Sequence, residues 1–282
     1  LPPVVDIGVG CPTGITFGYG AKFPAKYQNA LFINDWTYGK LYSLFLEPRG
    51  SSYSAKVEEF VSAVPLPLTD TIINPLDGAM YFLIGGRKTQ SGLYRVTYVG
   101  SESTEPAIAK NNDNSSERDA RHKLETLHVG EHADAVDQAW PYLNSPDRFL
   151  RHAARTALEH QPLEKWQQRA LDEKDPQSSI TALLALVRKI PRSYHPPSNK
   201  DLDTPPPTFP ATDASRHPLL SAVLEAIGRI DWSQLSTEQQ RELLRLVTLT
   251  CYRLGPPDEP TRAEMIARLD SIYPAADSEQ NV

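Results

Sequence analysis

Short runs in which apolar and polar residues alternate dominate the first hundred positions, and this period is typical of β-strands. Three such runs predict strands at Thr69–Ile73, Ala79–Ile84 and Gly92–Val99. The segment Asn74–Gly78 favours a hairpin between the first two, because proline presets φ and Asp-Gly tolerates positive φ. Between the second and third strands, Gly85–Ser91 is polar and rich in glycine, which predicts a loop.

An equivalent pattern occurs earlier in the chain, and an additional strand is predicted at Val4–Val9. Four short strands repeated at about 45–55 residues are typical of β-propeller blades. We therefore expect residues 1–100 to form the C-terminal blades of a β-propeller, about two four-stranded blades in number. The strands of the earlier repeat are predicted at Gly14–Phe17, Ala30–Asn34, Lys40–Leu46 and Ala55–Ala63.

Helical periodicity replaces strand periodicity from Glu117 onward, after a polar linker at 101–116. Helix pairs with small alanines at close contacts are typical of HEAT-like repeats in an α-solenoid. The helical ranges are 117–190 and 216–275, separated by a proline-rich strap at 191–215 and followed by a frayed tail at 276–282. Individual helices are predicted at Arg118–His128, Ala133–Leu143, 147–161, Pro162–Glu173, Ser178–Lys189, Pro218–Ile230, Thr237–Leu254 and Thr261–Tyr273.

The composition excludes several classes of function. The 282 residues carry a net charge of −6 and have no long basic stripe, which argues against a nucleic-acid partner. No run of about 18 apolar residues is present, so no transmembrane segment is predicted. Only two cysteines occur, Cys11 and Cys251, without the Cys-x-x-Cys-His motif of covalent c-type haem. Since closed propellers need about four blades, we expect the chain to be an internal fragment of a longer polypeptide.

The best candidate site combines Asp70 with Gly85, Gly86 and Arg87. In an antiparallel meander the start of the first strand lies beside the end of the second, which predicts that these residues meet. They would hold an anionic ligand or a quinone cofactor, or Asp70 and Arg87 would form an ion pair that fixes a loop. The Asp35–Trp36 loop occupies the equivalent place one repeat earlier, where a tryptophan is expected to pack between sheets.

No motif identifies a catalytic residue, so the catalytic residues are unknown from the sequence. His128 and His132 have the i, i+4 spacing of metal ligands, but Gly130 interrupts the helix between them. We therefore predict no metal site.

The segments Asp35–Tyr42 and Pro67–Gly100 resemble the closing blades of a bacterial family. Its members are the large haem-binding, membrane-associated dehydrogenase-like proteins of planctomycetes, whose propeller is similar to quinoprotein glucose and sorbosone dehydrogenases. The resemblance implies a propeller, then HEAT-like helices, then a cytochrome module. It also implies pyrroloquinoline quinone, calcium and c-type haem in the full-length protein, with none of them held by this chain, and it assigns Asp70, Gly85, Gly86 and Arg87 to a cofactor-binding site.

Two functions remain open at this stage. The chain is either a fragment of an extracytoplasmic sugar or alcohol dehydrogenase, or a non-catalytic scaffold that binds protein or polysaccharide. The first alternative implies missing blades and a cytochrome module as partners, a sugar or polysaccharide substrate, and a periplasmic or cell-surface location. In either case we expect the isolated chain to be inactive.

Overall fold

The computed structural model describes residues 3–86, 88–108, 116–192 and 216–270. The chain divides into two compact units, Leu1–Asp119 and Ala120–Val282. All the described strands lie in the first unit, which we call the β unit. Nearly all the described helices lie in the second, which we call the helical unit.

The first sheet of the β unit is an antiparallel meander of four strands in the order β1-β2-β3-β4. Short turns join β2 to β3 and β3 to β4, whereas residues 18–30, which include the short helix α1, connect β1 to β2. The longest pairing joins β3 and β4. It extends from Lys40, which lies opposite Ser62, to Arg49, which lies opposite Ser52. The elements are β1 (Pro12–Phe17), α1 (Ala25–Gln28), β2 (Leu31–Asp35), β3 (Lys40–Arg49) and β4 (Ser52–Ser62).

The second sheet has three strands in the order β5-β6-β7, with β5 at Leu68–Ile73, β6 at Met80–Gly86 and β7 at Thr89–Val96. The predicted hairpin turn is confirmed. The Asn74 N–H donates to the Ala79 carbonyl at 2.9 Å, and Gly78 adopts a φ of +69°.

The predicted loop at Gly85–Ser91 is wrong. Strand β6 continues through Gly86, which pairs with Thr89 at the start of β7. The Thr89 hydroxyl also donates to the Gly86 carbonyl at 2.6 Å. The turn is short because Gly86 and Lys88 both take positive φ, +96° and +58°, so the chain reverses without a long loop.

The expected partial propeller is also wrong. The sheets are open, the second has three described strands rather than four, and Val4–Val9 contains no strand. The residues after β7, up to Ile108, form no regular element. A meander of short strands with tight turns is common to blades and to other antiparallel sheets, so the local pattern predicted strands correctly without determining how the sheets assemble.

The core of the β unit draws on both sheets. Phe32 and Leu41 come from the first sheet, and Leu68, Met80 and Phe82 come from the second. Direct contacts between β1 and β5 hold the two sheets together. One face of each sheet is therefore buried against the other.

The helical unit contains most of α2 and all of α3–α9. Several of its helices are shorter than predicted and continue as 3₁₀ turns. The helices are α2 (Ser116–Glu125), α3 (Ala135–Ala139), α4 (Arg148–His160), α5 (Gln167–Asp172), α6 (Pro176–Lys189), α7 (Leu220–Gly228), α8 (Thr237–Leu254) and α9 (Glu259–Asp270).

The expected solenoid of regular helix pairs is replaced by helices of very unequal length. The segment predicted as one helix at Ala133–Leu143 is α3 followed by a 3₁₀ turn at Trp140–Tyr142, because Pro141 has no N–H for an α-helical bond. The segment at Pro162–Glu173 is a 3₁₀ turn followed by α5.

The predicted helix starts at Asp147 and Ser236 are confirmed. Asp147 accepts hydrogen bonds from Phe149 N–H and Leu150 N–H at the start of α4. Ser236 and Gln239 form a reciprocal capping box at the start of α8. The predicted strap beyond Arg192 and the predicted frayed tail lie outside the described residues.

Candidate functional site

Asp70 lies on β5, opposite Leu83 of β6. Its Oδ1 atom accepts the N–H of Thr71 at 2.8 Å. A Cβ atom built on Gly14 of β1 would lie 2.8 Å from both Cα and Oδ1 of Asp70. The acid therefore lies at the closest approach of β1 and β5, and Gly14 is required there because a side chain would not fit.

Gly85 faces Pro67 rather than Asp70. Its N–H donates to the Pro67 carbonyl at 2.9 Å, and its carbonyl accepts the indole N–H of Trp36, also at 2.9 Å. A Cβ atom on Gly86 would lie 3.0 Å from Cζ2 of Trp36. Both glycines thus contact Trp36, and their assignment to a cofactor-binding site stays a prediction. Arg87 lies outside the described residues, so its predicted contact with Asp70 stays a prediction.

The Asp35–Trp36 turn connects the two sheets, as expected for a tryptophan packed between them. Asp35 is 1% exposed, and its Oδ1 accepts the N–H groups of Cys11 and Thr37 at 3.0 and 2.8 Å. Beside it, the Thr71 hydroxyl donates to Oδ1 of the buried Asn34 at 2.7 Å. These bonds satisfy Asp35 Oδ1 and Asn34 Oδ1, whereas the buried Asn34 Nδ2 has no hydrogen-bond partner among the described residues.

Apart from Asp70, the predicted site did not include the solvent-facing side of the second sheet. Ile72, Leu83 and Leu93 lie on the three adjacent strands β5, β6 and β7, and they are 59%, 46% and 65% exposed. Leu83 and Leu93 are direct cross-strand partners. We call these three side chains the outer strip. Large aliphatic side chains grouped in this way mark interaction surfaces more often than isolated ones do.

The two ends of the outer strip are polar. Arg95 of β7 pairs with Asp77 at 3.2 Å, and the Tyr81 hydroxyl donates to the same carboxylate at 2.9 Å. The hydrogen bond from the Ala79 N–H lowers the pKa of Asp77 most, and the contacts with Tyr81 and Arg95 lower it further. At the other end, Ser91 lies beside Gly85. The strip is therefore an apolar band with hydrogen-bonding groups at its rim, an arrangement typical of protein interfaces.

The outer edge of β7 adjoins this strip. Among the described residues, β7 pairs with β6 alone, so its other edge offers unpaired backbone groups. The edge strand β4 of the first sheet differs, because it carries Lys56, Glu58 and Glu59 in ion pairs with Glu47, Lys26 and Lys40. Charged side chains on an edge strand block the addition of another strand.

Two histidines of the helical unit, His128 and His160, contact backbone carbonyls. His128 Nε2 lies 2.8 Å from the Ala153 carbonyl and His160 Nδ1 lies 2.9 Å from the Thr156 carbonyl, while the two rings stack at 5.9 Å. Burial, together with nearby Arg155, lowers the pKa of His152. Within the described ranges, no three His, Cys, Asp or Glu side chains are grouped as metal ligands.

Arginines in the helical unit bind the carbonyl ends of neighbouring helices. Arg253 donates to the carbonyls of Val187, Arg188 and Ile190 at 2.9, 3.1 and 2.9 Å, at the C-terminus of α6. Arg268 does the same for Gly228 at the end of α7. These hydrogen bonds satisfy carbonyls at helix C-termini, which have no N–H partner within the helix.

No helix in the described part of the chain combines the length and apolar character needed to cross a membrane. Comparison with known proteins gives no relatives: no family model, curated protein or solved structure matches the chain.

Proposed function

We propose that the β unit is a non-catalytic protein-binding module that accepts an extended strand of a partner at the outer edge of β7. The observation that carries this proposal is that the outer strip continues to an edge of β7 that pairs with no other strand in the described part of the chain. A strand added beside β7 gains backbone hydrogen bonds from the edge, and its alternate side chains cover Leu93.

Two features favour a strand over other ligands. The edge of β7 carries no acidic residue and only one basic residue, Arg95, which is already paired with Asp77. The exposed aliphatic groups of the outer strip call for aliphatic side chains on the partner, because water is released only when apolar surfaces meet. The expected partner segment is therefore a strand with leucine-like residues on one face.

A synthetic strand tests this proposal. We expect an eight-residue peptide of alternating threonine and leucine, with an aspartate at each end, to shift the NMR signals of β6 and β7 amides and to slow hydrogen exchange in β7. Leu93→Lys should abolish both effects, since it places a charge in the strip. Leu76→Lys is the matched control, because Leu76 is exposed but lies in the β5–β6 turn.

A second peptide controls for non-specific apolar binding. Replacing alternate threonines by proline removes the N–H donors that a strand needs while it keeps the leucines. Equal binding of the two peptides, or no binding of either, would contradict strand addition at β7.

The oxidoreductase function implied by the resemblance stays a prediction, as do the periplasmic or cell-surface location and the sugar substrate. Dye-linked oxidation of sugars by the chain, with pyrroloquinoline quinone and calcium added, is the direct test. Turnover that requires Asp70 would replace the binding function proposed above.

A further inference from the structure

We infer that the strand which pairs with β7 is β7 of a second copy of this chain, antiparallel about a two-fold axis at Leu93. This inference rests on the proposed function and names its partner. It is carried by the sequence of β7, TQSGLYRV, whose two halves complement each other in this one register.

The alternation of side chains between the two faces of a strand limits the possible registers. In an antiparallel pair, directly opposed residues point to the same side of the sheet. The outer faces of two copies are therefore continuous only when outward residues of β7 oppose outward residues of the other strand. Leu93 and Arg95 share the outer face because they pair with Leu83 and Tyr81, and Ser91 lies on the same side because its hydroxyl oxygen is 3.5 Å from a Cβ atom built on Gly85.

A two-fold axis at Leu93 extends the outer strip across both copies. Leu93 then opposes Leu93 of the partner subunit, and Leu83 flanks it on each side. Four leucines then form one cross-strand row in a six-stranded sheet, with Ile72 diagonal to Leu83 and Asp70 opposite Leu83 in each copy. The two Leu93 side chains contact each other at the common edge, and each shields part of the other from water.

The same register pairs the polar residues without conflict. Arg95 opposes the partner subunit's Ser91, so no like charges face each other across the strands. On the opposite side of the sheet, Tyr94 opposes Gly92 of the partner subunit. An aromatic ring across from an edge glycine covers backbone that the glycine leaves exposed.

Two neighbouring registers also place outward residues opposite outward residues, but their side chains match less well. An axis at Tyr94 places the Arg95 guanidinium opposite the partner subunit's Leu93. An axis at Gly92 places Leu93 opposite the partner subunit's Ser91. Both registers break the aliphatic band, whereas the register centred on Leu93 preserves it.

Sedimentation velocity on the full chain, from about 1 µM to about 1 mM because small interfaces bind weakly, provides the test. We expect a monomer–dimer equilibrium for the natural chain. Ser91→Asp should lower the dimer Kd roughly tenfold, since two new pairs with Arg95 form, and Ser91→Lys should raise it by a similar factor. Ser91 is exposed, so neither change threatens folding.

Gln90→Asp and Gln90→Lys are the matched controls. Gln90 is also exposed on β7, but in this register it opposes the uncharged Val96 of the partner subunit rather than Arg95. In this register these changes should not show the opposite effects expected at Ser91. A cross-link gives an independent readout: Leu93→Cys, in a chain with Cys11→Ser and Cys251→Ser, should form a disulfide-linked dimer on oxidation, and Val99→Cys should not.

The outcomes separate the inference from the proposed function. A chain that stays monomeric but binds the threonine–leucine peptide at β7 keeps the function and overturns the second copy as partner. A dimer whose Kd responds equally to Ser91→Asp and Ser91→Lys also overturns the inference. A chain that neither dimerises nor binds the peptide contradicts both.

Discussion

The indole N–H of Trp36 donates to the carbonyl of Gly85 at 2.9 Å, and this bond joins two sheets across 49 positions of sequence. The ring also lies against Gly86, whose φ of +96° carries the chain into the β6–β7 turn. One side chain thus secures the sheet junction and restricts a neighbouring glycine. The glycine pair that looked like a ligand cradle has this structural role in the β unit.

The two glycines should respond differently to alanine. Gly86→Ala should destabilise the β unit by roughly 1–3 kcal/mol, because a Cβ atom is strained at positive φ and would lie 3.0 Å from Trp36. Gly85→Ala is the matched control, since its nearest neighbours would lie 3.5 and 3.9 Å away. Hydrogen exchange of β6 and β7 amides at increasing denaturant reports on this unit alone. Equal losses at both positions would contradict the role assigned to Trp36.

Features that depend on neighbouring residues could be predicted from the sequence. The Asn74–Gly78 turn follows from proline and Asp-Gly, and the start of α8 follows from Ser236 and Gln239. Each is determined by residues within one turn of the chain. The pattern was therefore sufficient for both.

Features that depend on distant residues could not be predicted. No local signal in the sequence shows that Trp36 contacts Gly85. The predicted arrangement of the sheets was therefore wrong. The polar residues of Gly85–Ser91 suggested a long loop, yet two positive-φ residues, Gly86 and Lys88, allow a tight turn and a longer β7. The outer strip was not predicted from the sequence. The alternation in β6 and β7 gives the only local hint that both faces carry large apolar groups.

Arg253 should stabilise the helical unit through the end of α6. Arg253→Met keeps much of the apolar stem but removes three hydrogen bonds to main-chain carbonyls, and we expect a loss of about 1–3 kcal/mol. Arg262→Met is the control, because Arg262 forms an exposed ion pair with Glu259, and such pairs contribute about 0–1 kcal/mol. Hydrogen exchange of α6 amides measures the difference. A similar small effect for both variants would show that the carbonyls at the end of α6 do not need Arg253.

His217 should make the helical unit less stable in acid. Its Nδ1 accepts the N–H of Leu219 at 3.1 Å, and partial burial lowers the pKa of the imidazole below 6.5. The unfolded chain therefore takes up a proton first, so this contribution is present above about pH 6.5 and is lost as the pH falls through the folded value. His152 should likewise reduce stability as the pH falls, because its pKa is also lowered.

Urea midpoints at about pH 7.5 and about pH 5.5 test this dependence, because histidine titrates between them. We expect His217→Asn, which keeps an acceptor but does not titrate, to lose less stability on acidification than the natural chain. His122→Gln serves as the comparison on the exposed surface of α2. An unchanged pH dependence in His217→Asn would rule out the proposed contribution.

Two glycines of the helical unit should shift stability in opposite directions. Gly228 ends α7 and borders a cavity of about 60 Å³ lined by Leu224, Ile227 and Val247. A Cβ atom there meets nothing within 4 Å and the backbone is not left-handed, so Gly228→Ala should stabilise the unit by about 0.5–1 kcal/mol. Gly130 is equally open but has a φ of +76°, so Gly130→Ala should destabilise it by about 1 kcal/mol. Both variants add the same volume. If their denaturation curves shifted in the same direction, backbone conformation could not be the cause of the change in stability.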